Sequence, residues 1–125
     1  MPKNPLLSEI KYAEKTRELE PLGHWFDTQI QAMIQWDLNL LQKSTSIKKN
    51  EKLHKNLFVF YHNLGLGYIR NYFDPATAKQ YFEKSIKHYS RIPKPDVVYK
   101  RWGSEVKSYL KKIEDYYSYL SASDA

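Results

Sequence analysis

The sequence contains no cysteine, only four glycines in 125 residues, and no apolar run long enough to span a membrane. Without cysteine there is no disulfide framework and no thiolate zinc site. So few glycines leave little material for the tight turns of a hairpin-rich sheet, which favours helices. The opening residues, MPKNPLLSEIKYAEK, hold no apolar stretch of leader length, so a soluble, cytoplasmic protein is expected. At this length the chain forms one domain with room for a real core.

Charge is abundant and unevenly placed. The net charge is +6, yet residues 1–45 carry five Lys/Arg against six Asp/Glu, and residues 46–125 carry fifteen against eight. The basic character therefore belongs to the later part, which points to an acidic partner there or to a lysine-rich solvated surface.

The apolar residues recur at helical spacing in five segments, and no stretch alternates long enough to form a sheet. Asn4 and Pro5 open the first segment, Leu6, Ile10 and Ala13 mark its face, and Pro21-Leu22-Gly23 ends it. The second, about His24 to Gln42, carries Phe26, Ile30, Met33, Ile34 and Leu41, with Trp25 and Trp36 alongside. A polar link follows, in which Ser46 or Asn50 caps the third helix. That helix, reaching about Tyr72, is apolar on several sides: Leu53, Leu57, Tyr61, Leu64 and Tyr68 on one stripe, Phe58, Phe60, Leu66 and Ile69 elsewhere. It should be central and covered by its neighbours. Asp74 and Pro75 start the fourth helix, with Ala78, Phe82, Ile86 and Tyr89. Asp96 caps the fifth, with Val98, Trp102, Val106, Tyr109, Ile113, Tyr116 and Leu120 before a frayed SASDA tail. The expected organisation is a helical hairpin at 1–45, a second at 46–93 and a capping helix at 94–121.

Gly65 lies inside the third helix, where glycine costs about 1 kcal/mol relative to alanine. The offsetting gain is expected to be close approach of the fourth helix, with Ala78 at the matching depth and Phe82 filling the space beside Tyr61 and Tyr68.

Tyr61, Leu64-Gly65, Tyr68, Ala78, Phe82 and a late proline, Pro93 or Pro95, resemble the tetratricopeptide repeat, whose pattern is W-x2-L-G-x2-Y, A-x3-F and P. Tyr61 replaces the tryptophan, Ser85 takes a position usually held by alanine, and the turn is one residue longer. Residues 58–93 carry the likeness well and 94–111 in part. Trp102 and Tyr109 keep the spacing of the two aromatics, but Glu105-Val106 replaces Leu-Gly. The resemblance implies an all-α fold of antiparallel helical hairpins in a right-handed array or compact bundle. It also implies a groove for a peptide or helix, lined by Val59, His62, Asn63, Leu66, Ile69 and Arg70 and, from the last helix, Lys100, Ser104, Lys107, Leu110 and Lys111. Asn63 suits a peptide backbone and Arg70 a carboxylate. An adaptor, small chaperone or inhibitor that binds an acidic or C-terminal peptide segment is the expectation, unless the first two helices fill the groove.

Catalytic and cofactor signals are missing. Gly65-Leu66-Gly67 has no preceding strand, third glycine or P-loop lysine. His24, His54, His62 and His88 lack metal-ligand spacing, and Glu114-Asp115 has no acid–base partner. No enzyme, no metal site and no cofactor are expected. Two alternatives stay open: a nucleic-acid-binding protein using Lys43, Lys48, Lys49, Lys52 and Lys55, or a self-associating structural protein.

Overall fold

A computed structural model describes the backbone of residues 3–16 and 20–123. It is all-α, with five helices: α1 Leu7–Thr16, α2 Glu20–Lys43, α3 Ile47–Arg70, α4 Pro75–Tyr89 and α5 Val97–Ser123. No strand occurs among the described residues, and no helix is long and apolar enough to cross a membrane.

Capping side chains set most of the boundaries. Asn4 Oδ1 accepts the N–H of Leu6 at 3.0 Å, so Asn4 shapes the turn before α1 and the helix starts two residues later than Pro5. Ser46, rather than Asn50, caps α3 by accepting the N–H of Lys49. Asp74 accepts both the N–H and the hydroxyl of Thr77, with Pro75 in the first turn, where its missing N–H costs nothing. Asp96 accepts the N–H of Tyr99 at 2.9 Å at the start of α5.

Three expected boundaries are corrected. Pro21-Leu22-Gly23 does not close a helix: it lies inside α2, with Pro21 in the first turn, which tolerates it, while residues 17–19 lie outside the described residues. The side chains of His24 and Trp25 lie outside the described residues. α3 ends at Arg70 rather than Tyr72, because Phe73 turns to a positive φ of 47° and the Asp74 N–H closes back onto the Tyr68 carbonyl. A left-handed phenylalanine is costly, and the edge-on packing of its ring against Tyr116 offsets that cost. α5 continues through Ser123, past the expected stop near Leu120, while residues 124–125 lie outside the described set.

Side-chain contacts fix the directions. Asp27 lies beside Gly67 and Asp37 bonds Asn56, so α2 runs antiparallel to α3. Ser85 bonds the Phe58 carbonyl and Phe82 covers Gly65, so α4 returns along α3. Phe58 meets Tyr99, His62 meets Glu105 and Arg70 meets Tyr109; α3 and α5 therefore run parallel, both packed against α4.

α3 is central, as its all-round apolarity requires. Leu57, Tyr61 and Leu64 form one cluster with Ile34 of α2, bordered by Ile30, Leu38 and Leu41. Phe58 and Ile69 belong to a second with Ala78, Phe82, Val106, Tyr109, Ile113 and Leu6. Each such side chain contributes about 1.5–3 kcal/mol on full burial.

The reason for Gly65 differs in one detail from expectation. What meets it is the Phe82 ring, not the backbone at Ala78: a Cβ at position 65 would lie 2.5 Å from a Phe82 ring carbon. Phe82 also stacks on Tyr109, with centroids 5.2 Å apart and planes 7° from parallel. Gly103 serves Tyr89 in the same way, since a Cβ there would sit 2.7 Å from that ring. Ser85 is fully buried and donates to the Phe58 carbonyl at 2.9 Å, so its hydroxyl is satisfied where a bare methyl would also fit.

Candidate functional site

Helical spacing places Lys52, Asn56, Val59, Asn63, Leu66 and Arg70 on one stripe of α3, between the side that faces α2 and the side that faces α5. Along it Lys52 and Asn63 are exposed, while Asn56, Val59, Leu66 and Arg70 are half-buried. This strip is the floor of the candidate groove.

Two of the six α3 residues expected there point elsewhere. His62 is buried, and its Nε2 lies 3.2 Å from Glu105 of α5. Burial lowers the His62 pKa, with Glu105 opposing that in part, so the ring is neutral near pH 7 and donates to the carboxylate. Ile69 is fully buried in the core. Both turn towards α5 because they sit on the Phe58 side of the helix.

The Arg70 end of the strip is occupied by the chain itself. Leu6, Glu9 and Ala13, at i, i+3 and i+7, are the buried face of the N-terminal segment, and Leu6 joins the core cluster containing Ile69 and Tyr109. Ser8, Glu9 and Tyr12 line a cleft of about 300 Å³ with Arg70 and Tyr109. Across it Arg70 donates to the Tyr109 hydroxyl at 3.1 Å. The Tyr109 pKa is raised by burial first, with Arg70 working against the shift and Glu9 adding to it.

The α5 residues fall into two groups. Glu105 and Tyr109 face α3. Lys107 lies 5.7 Å from the Tyr89 ring of α4, and Lys100, Ser104 and Lys111 share its exposed face. Lys111 is paired with Asp115 at 2.9 Å. Leu110 is half-buried against the core. The lysine row and the α3 strip therefore lie on different sides of α5 and do not converge.

Sequence reasoning missed Glu9, Tyr12, Glu105 and Tyr109 as neighbours of the site. Glu105 left a trace, as the charged residue in the leucine position of the repeat pattern. Glu9 left another, as an acid on the apolar stripe of the first helix.

A second polar cluster lies at the other end of the α3/α4 hairpin. His54 Nδ1 and His88 Nδ1 are 3.0 Å apart, and the His88 ring stacks on Tyr61 at 5.7 Å. Burial first, then the positive charge of His54, Lys87 and Arg91, pushes His88 down to about 4. His54 is lowered by burial and by Arg91. One neutral ring donates and the other accepts. Among the described residues no group of three or more metal-ligating side chains exists.

Compared with known proteins, the chain matches no family model, no curated protein and no solved structure.

Proposed function

We propose that this chain is a tetratricopeptide-like, non-enzymatic interaction module that holds a segment of another protein along the outer strip of α3. The observation that carries the reading is the parallel pairing of α3 and α5 with α4 packed against both, which leaves one strip of a central, otherwise covered helix open to solvent. Val59 and Leu66 supply an apolar middle, and Asn63 supplies an amide that donates and accepts at once, as a peptide backbone requires. Lys52 stands at the open end, which suits an acidic side chain or a terminal carboxylate on the bound segment. α1 closes the other end and fixes how far the segment runs. The lysine row of α5 stands apart from this strip and serves solubility.

Affinity capture from native extract, using the full chain and its Asn63→Ala variant, tests the reading. A protein retained by the parent chain and lost with the variant, at equal helicity, is the expected result. Identical captured proteins would overturn it.

A further inference from the structure

One face of α2 holds large apolar side chains in solvent. Phe26, Met33 and Trp36 are 57%, 43% and 69% exposed, and Leu40 is half-buried beside them. With Gln29 and Lys43 they occupy positions 26, 29, 33, 36, 40 and 43, the 3-4 spacing of a helix-pairing seam. The buried Ile34 and Asp37 and the partly buried Ile30 lie on the adjoining side of the helix, towards α3.

Charge on this face is confined to Lys43 at its end. Between Phe26 and Lys43 the only ionisable residues are Asp27 and Asp37, both buried, and every exposed polar residue is Thr, Gln or Asn. In a chain with 27% charged residues and a net charge of +6 this is the signature of an interface centre, where charge is depleted and Trp and Met are enriched.

We propose that α2 is a self-association surface, on which a second copy of this chain docks its own α2 antiparallel about a two-fold axis. Two observations choose a second copy over an unrelated protein. Two chains of +6 repel one another at a basic face, and they approach at least cost along this seam, where Lys43 at the end is the one charged residue and lies opposite Phe26 rather than a second lysine. The seam is also self-complementary. In an antiparallel pair centred between positions 34 and 35, Met33 meets Trp36 of the second copy, Leu40 meets Gln29, and Lys43 meets the face of Phe26. Bulky residues therefore meet slender ones in each layer. The dimple of about 170 Å³ between Trp36, Asn39, Leu40 and Lys43 receives the other copy's side chains. This inference stands apart from the α3 groove, which lies on another side of α3's neighbours.

Sedimentation velocity of the full chain from micromolar to millimolar concentration reads the association directly. A monomer–dimer equilibrium is expected, and Trp36→Lys should raise its dissociation constant by about tenfold or more, with unchanged helicity and with an unchanged melting temperature at concentrations where the parent is monomeric. A monomer at all concentrations, or a dimer indifferent to Trp36→Lys, would overturn the proposal. Orientation is read by mixing Gln29→Cys and Leu40→Cys chains, which is clean because the chain has no cysteine of its own. Faster disulfide formation between the two variants than within either supports the antiparallel pair; self-crosslinking of each would contradict it.

Discussion

The two sides of α3 are built on different principles. Towards α4 and α5 it offers backbone: Gly65 lies bare under Phe82, which stacks in turn on Tyr109, and Ser85 bonds the Phe58 carbonyl. Towards α2 it offers side chains: Leu57, Tyr61 and Leu64 meet Ile34, with Asp37 buried alongside and bonded to Asn56. Ring-on-backbone packing has no slack, because the helix cannot move aside without breaking its own hydrogen bonds. Side-chain packing adjusts by rotamer changes. The first side thus holds the hairpin frame, and the second carries a helix with Met33 and Trp36 exposed to solvent.

The largest way to break this asymmetry is Gly65→Leu. Four added carbons in the space of the Phe82 ring should lower the unfolding free energy by about 3 kcal/mol or more, measured by urea denaturation. A one-carbon deletion on the α2 side, Ile34→Val, should cost only about 0.5–1.5 kcal/mol.

Acid acts next, and it acts on the hairpin side. His54, His62 and His88 all have pKa values lowered on folding, so the native state excludes protons that the unfolded chain binds below its histidine pKa of 6.5. Their contribution is intact above that value and is lost as pH falls from 6.5 towards the His88 pKa of about 4. Melting temperature should be flat from pH 8 to 7 and then fall. His88→Phe, which keeps the stack on Tyr61 and removes the titrating group, should flatten part of that fall.

Smaller effects sharpen the comparison. Ser85→Ala should cost about 0.5–1.5 kcal/mol, the value of one buried hydrogen bond, since the methyl still fits. On the α2 side the Asp37 pKa is raised by burial, with the Asn56 hydrogen bond opposing, so the carboxylate is disfavoured there. Asp37→Asn should give a slight rise in melting temperature at pH 7 and none near pH 3, where both states are protonated. Asn63→Ala is exposed and should leave stability within about 0.5 kcal/mol of the parent.

The helices were legible because their stop signals are local: Asp74-Pro75 and Asp96 cap where they stand, and the apolar stripes of α3 required cover on both sides. The place of Pro21-Leu22-Gly23 was not, because a proline and a glycine that end one helix are also acceptable in the first turns of another. The site was legible only in part. Spacing put His62 and Asn63 on neighbouring faces, but it could not say that α5 would pack against one and leave the other in solvent. The outer face of α2 was misread for a similar reason. Phe26 and Met33 share helical spacing with Ile30, Ile34 and Leu41, with Trp36 alongside, yet one helix can bury only the side turned to its neighbour, and here that side is Ile30, Ile34, Leu38 and Leu41.

The packing of α3 depends most on its bare backbone beside Phe82, and its two helical glycines provide an internal control. A Cβ at Gly65 meets the Phe82 ring at 2.5 Å, whereas a Cβ at Gly67 meets nothing nearer than Asp27 Oδ1 at 3.4 Å. Unfolding free energies of Gly65→Ala and Gly67→Ala should therefore move in opposite directions: down at 65, and up by as much as about 1 kcal/mol at 67, where only the helix penalty of glycine is removed. Equal gains at both positions would show that Phe82 does not lie on the α3 backbone and would contradict the packing described.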